Sequence, residues 1–260
     1  MPQLTTPNGP PDVRYDVETI PVFARWFGSW QISVRRRALS MDQLAHLYDL
    51  AAPGWCRTLD RLGYPRAYEA MLRSVLREKN LGTFGTQLRA LDCGVGTGAL
   101  SCALARMSPA STRLDAIDIS PLMLRRASRN LRGNSLKVSL RDGDVRDLPY
   151  DDGVFDLVMT AHMLEHLVDP SVALREMVRV LKPGGLLIAC LTRRSSLGMY
   201  VHLKWRTHRV PPDEAQVWLR ESGLENTRCL PVNDHAICRR LSLVCVGAKG
   251  DRGVHAEVAP

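Results

Sequence analysis

The chain has no apolar run near the ~20 residues that a membrane-spanning helix needs. Its first residues, MPQLTTPNGPPD, also lack the basic start and apolar core of a secretory signal. The seven cysteines form no CxxC pair, and several lie in apolar stretches, where a thiol behaves as a small hydrophobic group. These features predict a cytoplasmic protein with reduced thiols.

Motifs of RNA-binding proteins, in which aromatic residues alternate with basic ones, are also absent. The net charge is +8, from 35 Lys and Arg against 27 Asp and Glu, but the arginines are spread widely apart from the run at 35–37. A basic balance by itself fits nucleic acid, anionic lipid or simple solubility. We therefore expect no nucleic-acid partner.

The length of 260 residues suits one α/β domain with an appendage. Residues 1–12 contain four prolines and predict a disordered arm, and residues 250–260 predict a flexible tail. Between them we expect an N-terminal helical cap over residues 13–86 and the main domain over residues 87–249.

Two helices are predicted in the cap. Ser40 and Gln43 have the spacing of a capping box, in which each side chain satisfies the other residue's backbone amide. A second helix should begin near Pro65, because apolar residues recur there at helical spacing. Its apolar face comprises Tyr64, Tyr68, Met71, Leu72, Val75 and Leu76.

Short apolar strands alternate with amphipathic helices from about residue 87 onward. This rhythm is typical of βαβ units and a mostly parallel sheet, which binds ligands at the carboxyl ends of its strands. The last two strands have no predicted helix between them, so we expect an antiparallel hairpin at one edge. The predicted strands are QLRALDC, RLDAID, LKVSL, VFDLVMT, LLIACLT, LENTRCL and LSLVCVGA.

A glycine-rich loop, CGVGTGAL, follows the first of these strands. Gly94, Gly96 and Ala99 fit the G-x-G-x-x-G/A pattern of dinucleotide-binding proteins. Asp92 with Gly94, Gly96 and Gly98 equally gives D-x-G-x-G-x-G, which suits a ligand without phosphate. The loop alone leaves both ligands open.

Acidic residues at the ends of the neighbouring strands discriminate between them. Asp118, in AIDIS, can accept hydrogen bonds from both hydroxyls of an adenosine ribose and would repel the 2′-phosphate of NADP. Asp144 is placed to accept the adenine amino group, with Val145 beside the ring. The charge of Asp92 opposes a pyrophosphate and suits the ammonium group of a methionine moiety. These positions favour S-adenosylmethionine over NAD.

The ordered series DCGVGTG, AIDIS, GDVRDLP, FDLVMTAHMLEH and LKPGG closely resembles the class I S-adenosylmethionine-dependent methyltransferases. The branch it resembles most is the small-molecule group that includes ubiquinone- and menaquinone-biosynthesis enzymes. The resemblance covers residues 87–248 and implies a Rossmann-like, seven-stranded, mostly parallel sheet with an antiparallel edge strand. It also implies S-adenosyl-L-methionine as cofactor, with Tyr48 closing over its methionine end. The cofactor-binding residues it implies are Tyr48, Asp92, Gly94, Gly96, Gly98, Asp118, Ile119, Asp144, Val145, Ala161 and His162.

The segment AHMLEH follows the fourth strand, where this family places groups that face the methyl group. His162 and His166 are therefore candidate catalytic residues that accept a proton from the acceptor or orient it. Alternatively, His162 lines the pocket through its backbone and His166 caps the next short helix. The letters also match the H-x-x-E-H of zinc proteases, but that motif needs a long helix and a distant third ligand. We therefore predict no metal site.

Two segments are expected to select the acceptor. Residues 195–213 offer Tyr200, His202, Trp205 and His208. The segment IPVFARWFGSWQISVRRR concentrates aromatic residues before three arginines, as interfacial helices on anionic lipid do, or else packs on the core as a lid.

The sequence thus predicts a methyltransferase acting on a small, hydrophobic or aromatic acceptor. One alternative is a lipid or quinone-precursor methyltransferase at the inner membrane surface, with peripheral contact through the cap. Another is a module that binds the cofactor without turnover.

Overall fold

The computed structural model describes residues 19–37, 39–78, 88–108, 111–134, 136–193, 210–232 and 236–250. The chain divides into two compact units, residues 1–38 and residues 39–260. The predicted N-terminal arm and almost all of the predicted tail lie outside the described residues. So do the four predicted acceptor-selecting side chains Tyr200, His202, Trp205 and His208.

The first unit contains a β-hairpin where the sequence predicted helix. Strands β1 (Thr19–Phe27) and β2 (Trp30–Arg37) pair antiparallel around a loop of Gly28 and Ser29. Gly28 has a φ of 60°, which suits glycine in a two-residue hairpin loop. The helical prediction is wrong for residues 19–37, because their aromatic and β-branched residues favour strands and Gly-Ser supplies the turn.

The predicted capping box and the second helix of the cap are confirmed. Helix α1 (Met41–Leu62) begins after Ser40, whose hydroxyl accepts from the amide of Gln43 while the Gln43 side chain accepts from the amide of Ser40. Helix α2 (Tyr64–Glu78) begins one residue before Pro65. The buried residues of α2 are Tyr64, Ala67, Tyr68, Met71, Leu72 and Val75.

The second unit is built on a seven-stranded sheet. Its strands are β3 (Arg89–Cys93), β4 (Arg113–Asp118), β5 (Lys137–Asp142), β6 (Phe155–Ala161), β7 (Leu181–Thr192), β8 (Leu224–Pro231) and β9 (Ser242–Lys249). Its further helices are α3 (Ala99–Met107), α4 (Pro121–Asn130), α5 (Pro170–Val180), α6 (Pro212–Glu221) and α7 (Ala236–Leu241), with a 3-10 helix at Leu164–His166.

The strands lie in the order β5-β4-β3-β6-β7-β9-β8, and β9 runs antiparallel to both of its neighbours. The predicted mostly parallel sheet with an antiparallel hairpin at one edge is thus confirmed. The prediction that no helix separates the last two strands is wrong, because α7 lies between them. Cys238 and Leu241 of α7 are buried and stand three residues apart, so one helical turn places both against the core.

Helices cover both faces of this sheet. One core cluster joins α2 and α3 to the sheet through Leu72 and Leu104, and a second joins α5 and α6 to it through Leu174 and Leu219. The chain runs from β3 to β4 on one side and returns to β6 on the other side. The carboxyl end of β3 is therefore a topological switch point, where open α/β sheets bind ligands.

Two of the cysteines depart from the expected reduced state. Cys229 and Cys245 are directly opposed in the pairing of β8 with β9, their Cα atoms lie 4.1 Å apart, and they form a disulfide. The prediction of reduced thiols is therefore wrong for this pair, because the strand register sets the two side chains side by side. The remaining five cysteines are free. Among the described residues, no helix is long and apolar enough to cross a membrane.

Candidate functional site

A pocket lies at the carboxyl ends of β3, β4 and β6, and helix α1 provides one of its walls. With one exception, the predicted cofactor-binding residues all line this pocket, and so does the candidate catalytic residue His166. The exception is Gly98, which forms the N-cap of α3 and packs against Ala127. The structure adds apolar lining residues that the sequence did not single out: Leu44, Trp55, Leu59, Met123, Met163 and Leu167.

The glycine-rich loop needs glycine for two different reasons. Gly94 and Gly96 have φ values of 73° and 53°, in the left-handed region that other residues rarely adopt. A Cβ atom on Gly94 would lie 2.6 Å from Cγ of Met163, so close packing also excludes a side chain there. A Cβ atom on Gly96 would meet nothing within 4 Å, so the open space of the pocket lies over Gly96.

Three successive backbone amides of this loop are already bonded within the protein. Those of Gly94 and Val95 donate to the carbonyl of Ile117 at 2.8 and 3.0 Å, and that of Gly96 donates to Oδ2 of Asp118 at 2.7 Å. Phosphate-binding loops instead direct free amides toward the anion. This arrangement favours a ligand without phosphate over a dinucleotide.

Asp92 is the penultimate residue of β3 and is 1% exposed. Its Oδ2 accepts a hydrogen bond from the hydroxyl of Ser101 at 2.6 Å. Burial raises the pKa of Asp92 to about 7, the hydroxyl of Ser101 lowers it and the nearby charge of Asp118 raises it further.

Asp118 ends β4 and is also buried. Its carboxylate accepts from the amides of Gly96 and Ser120, the latter at 2.9 Å. Burial raises the pKa of Asp118 to about 6 in spite of these two bonds, and the charges of Asp142 and Asp49 add to the rise.

Neither of these carboxylates has a cationic neighbour among the described groups that set its pKa. Two buried carboxylates in one apolar pocket are costly unless a partner of opposite charge or strong donors reach them. Asp92 and Asp118 therefore suit a ligand that brings a positive charge and hydroxyl groups.

Asp144 lines the pocket as predicted but is bonded to a neighbouring arginine. Nε and Nη2 of Arg146 reach its two oxygens, the shortest contact being 2.6 Å. Burial raises the pKa of Asp144, but the bonds and charge of Arg146 outweigh this and hold it below its usual value. An adenine amino group would have to share the carboxylate with Arg146, a neighbour that the sequence analysis did not weigh.

Two adjacent residues attach α1 to opposite sides of the pocket. The hydroxyl of Tyr48 hydrogen-bonds to Nε2 of His166, next to β6. Oδ1 of Asp49 accepts from the hydroxyl of Ser120 and from the amide of Leu122 at 3.2 Å, at the start of α4. Helix α1 thus spans the pocket from β6 to α4.

His162 follows β6 in an unusual backbone conformation, with a φ of 56°. Its Nδ1 lies 3.1 Å from both Oε1 of Glu165 and Oγ1 of Thr192, and its Nε2 lies 3.2 Å from Oγ of Ser242. Both ring nitrogens are therefore engaged by the protein. This geometry supports pocket lining for His162 and not proton transfer with a ligand.

Glu165 is a fully buried carboxylate that the sequence analysis did not include in the site. Its Oε1 accepts from the amide and the hydroxyl of Thr192 at 2.9 and 2.6 Å. Burial raises the pKa of Glu165, but the hydrogen bond and charge of His162 and the charge of His166 outweigh burial and lower it. The available signal in AHMLEH was a glutamate that directly precedes His166 and stands three residues after His162.

Comparison with known proteins matches residues 91–189 to a family model described as a methyltransferase domain. The chain is 40% identical over 102 residues to a demethylmenaquinone methyltransferase of Clavibacter sepedonicus, a stretch that is 39% of this chain and 40% of that one. It is 34% identical over 152 residues to a ubiquinone biosynthesis O-methyltransferase of Xanthomonas oryzae, covering 53% of this chain and 62% of that one. The chain thus spans about two fifths of the length of the first relative and about three fifths of the length of the second.

Among solved structures, the [4+2]-cyclase SpnF superimposes with a TM-score of 0.62 at 19% sequence identity. The match covers 82% of this chain and 97% of that chain. A methyltransferase from Thermotoga maritima, described as a possible histamine N-methyltransferase, gives a TM-score of 0.57 at 19% identity, covering 79% and 99% of the two chains. At these identities the likeness shows the fold alone.

Proposed function

We propose that the chain is a class I S-adenosylmethionine-dependent methyltransferase, which binds S-adenosylmethionine and methylates a small, hydrophobic or aromatic acceptor. The match of residues 91–189 to a methyltransferase-domain model supports the proposal. One observation carries the proposal. Asp92 and Asp118, both buried, line one apolar pocket without a cationic partner among the described groups that set their pKa values. S-adenosylmethionine carries the positive charge and the ribose hydroxyls that this pair calls for.

The hydrogen bonds of the glycine-rich loop support the proposal further. A dinucleotide would bring a pyrophosphate to amides that already donate to Ile117 and Asp118, and the charge of Asp92 would repel it. We assign the ammonium group of the cofactor to Asp92 and the ribose hydroxyls to Asp118. The adenine ring is assigned to Ile119 and Val145, with Asp144 at its amino group.

The residues of this chain have little covalent chemistry to perform. When bound, S-adenosylmethionine supplies a methyl group on an activated sulfonium. The pocket must hold the acceptor in line with that group and exclude water, and good alignment is worth ~7–11 kcal/mol. Tyr48 and Trp55 from α1 supply the covering wall. His166 lines the pocket with its Nε2 hydrogen-bonded to the hydroxyl of Tyr48, so a proton from a phenol acceptor would reach His166 through that hydroxyl.

The acceptor class is inferred from two features. The side chains that line the pocket are largely apolar, and the two sequence relatives named above are demethylmenaquinone and ubiquinone-biosynthesis methyltransferases. Labelled S-adenosylmethionine incubated with metabolite extracts would identify the acceptor, because the labelled product carries the transferred methyl group. Label transfer to a hydrophobic or aromatic small molecule is expected, whereas label on protein or nucleic acid alone would refute the acceptor class.

A membrane-borne acceptor, such as a quinone precursor or a phospholipid amine, is the second candidate. The β-hairpin of residues 19–37, rich in aromatic residues and arginines, favours it. Addition of vesicles made from bacterial lipid extract to the labelling reaction separates the two candidates. Labelled product in the lipid phase alone would support the second.

A module that binds the cofactor without turnover is the remaining alternative. The fold alone does not show methyl transfer, because SpnF shares the fold and is named a cyclase. Label transfer above the rate without protein is the result that distinguishes an enzyme from such a module.

A further inference from the structure

The tip of the β1–β2 hairpin exposes an aromatic surface. Trp26, Phe27, Trp30 and Ile32 are exposed by 65%, 52%, 78% and 57% respectively. Large apolar side chains in this number and proximity mark an interaction surface, since soluble proteins rarely expose contiguous apolar patches without a partner.

The strand register gathers most of these side chains on one face. Phe27 is paired directly with Trp30, and Arg25 with Ile32, so these four residues share a face around the two-residue loop. The guanidinium of Arg25 lies over the ring of Phe27, 5.3 Å from its centre. Trp26 lies on the opposite face. The apolar surface therefore surrounds the end of the hairpin.

The charged residues of the hairpin are all positive, and most of them lie at the end opposite the aromatic tip. Residues 19–37 contain four arginines and no aspartate or glutamate, and three of the arginines, 35–37, end β2. At about 3.3 Å per residue, Arg35 lies roughly 17 Å along the strand from Trp30. An aromatic end followed by a cationic end is the order in which an interfacial segment meets acyl chains and then anionic headgroups.

From this surface we propose that the hairpin docks on anionic lipid bilayers, with Trp26, Phe27 and Trp30 entering the interface. A second copy of the hairpin fits less well, because two segments with four positive charges and no negative charge repel each other. Single-stranded nucleic acid fits less well too, because its binding surfaces place several cations beside the stacking aromatics along a groove. Of the four arginines of the hairpin, one, Arg25, lies beside the aromatic tip, and the other three end β2. The hairpin lies outside the matched methyltransferase domain of residues 91–189, so the inference does not depend on methyl transfer.

Sedimentation of the full chain with vesicles tests this inference. Wild-type protein should pellet with phosphatidylcholine vesicles that contain phosphatidylglycerol, and much less with phosphatidylcholine alone. Added salt should weaken the binding, because it screens the arginines. The double variant Trp26→Ser/Trp30→Ser and the triple variant Arg35→Gln/Arg36→Gln/Arg37→Gln should each lose about tenfold or more in partition coefficient.

A matched control is available elsewhere on the surface. Val217 on α6 and Leu230 on β8 are exposed by 41% and 50%, and the double variant Val217→Ser/Leu230→Ser should bind vesicles as wild type does. Binding of S-adenosylhomocysteine, measured by calorimetry, should be equal in all of these proteins, so a failure of the cofactor site is seen separately.

Three results would overturn the proposal. One is equal pelleting of wild type and the tryptophan variant with anionic vesicles. Another is a concentration-dependent dimer that the tryptophan variant loses, which would assign the surface to a second copy. The third is retention of a single-stranded oligoribonucleotide that depends on the tryptophans, without vesicle binding.

Discussion

A buried carboxylate without a positive neighbour holds its proton to higher pH, and a cationic ligand reverses this preference. Burial raises the pKa of Asp92 to about 7 and that of Asp118 to about 6. A ligand that needs the ionised form must displace these protons when it binds below those values. The pH dependence of binding therefore reports directly on the two side chains.

We expect the affinity for S-adenosylhomocysteine to fall as the pH is lowered from about 7.5 to 5. The loss should approach about tenfold per pH unit for each group that must ionise. Calorimetric titrations across this range measure it, and Asp92→Asn should flatten the dependence between pH 6 and 7. An affinity that is constant with pH in the wild type would mean that neither carboxylate meets the ligand's charge.

Removal of the predicted ribose acceptor should weaken binding without loss of the fold. Asp118→Ala should lower the affinity for S-adenosylhomocysteine about tenfold or more, because a hydrogen bond to a charged group is worth roughly 1.5–3 kcal/mol. Asp115→Ala is the matched control, since Asp115 lies on the same strand but pairs with Arg89. Equal affinities for the two variants in calorimetry would place the ribose elsewhere.

The two histidines should differ in what they contribute. His166→Ala should reduce turnover by about 10²–10⁴ with cofactor affinity nearly unchanged, because His166 lines the pocket and the proposed adenosine contacts end or follow β4 and β5. Turnover within a few fold of wild type would indicate alignment without a protein base.

His162→Ala should instead lower the free energy of unfolding by about 1–3 kcal/mol, since it removes one hydrogen-bond partner from the buried Glu165 and one from the buried Ser242. Thr192 still donates to Glu165, and Tyr64 still bonds to Ser242. Thermal or urea unfolding measures this effect. A variant as stable as wild type would show that the ring contacts of His162 contribute nothing to the fold.

At the scale of whole elements, the attachment of helix α1 across the pocket can be tested by mutation. Asp49 accepts hydrogen bonds at the start of α4 and so fastens α1 across the site. Asp49→Ala should increase hydrogen exchange in α1 and speed the dissociation of S-adenosylhomocysteine. Asp60→Ala, an exposed position on the same helix, is the control. Equal exchange in both variants would mean that α1 is held by its apolar contacts alone.

The sequence predicted those elements whose signals are local. The Ser40 capping box, the strand–glycine–helix unit at residues 89–107 and the alternation that follows all depend on neighbouring residues. The hairpin of residues 19–37 was not predicted, although its aromatic and β-branched residues and the Gly28-Ser29 turn are local signals for paired strands. Contacts distant in sequence, such as Tyr48 with His166, follow from packing and carry no local signal.

The residues of the site likewise divide into those with a local sequence signal and those placed only by packing. Asp92, Asp118 and the glycines could be placed because each ends or follows a predicted strand. The bond from Gly96 to Asp118 was not predictable, since it depends on how two adjacent strand ends face each other. The role of Glu165 emerges only once β6, β7 and the 3-10 helix are packed together.

For the whole molecule, the central claim is that the pocket takes S-adenosylmethionine and not a dinucleotide. Thermal unfolding of the full chain with S-adenosylhomocysteine and, separately, with NAD tests it most directly. S-adenosylhomocysteine should bind in the micromolar range and stabilise the protein by ~2.7 kcal/mol at a hundredfold excess over its dissociation constant. NAD should leave the melting temperature unchanged. A stabilisation by NAD with none by S-adenosylhomocysteine would contradict the account.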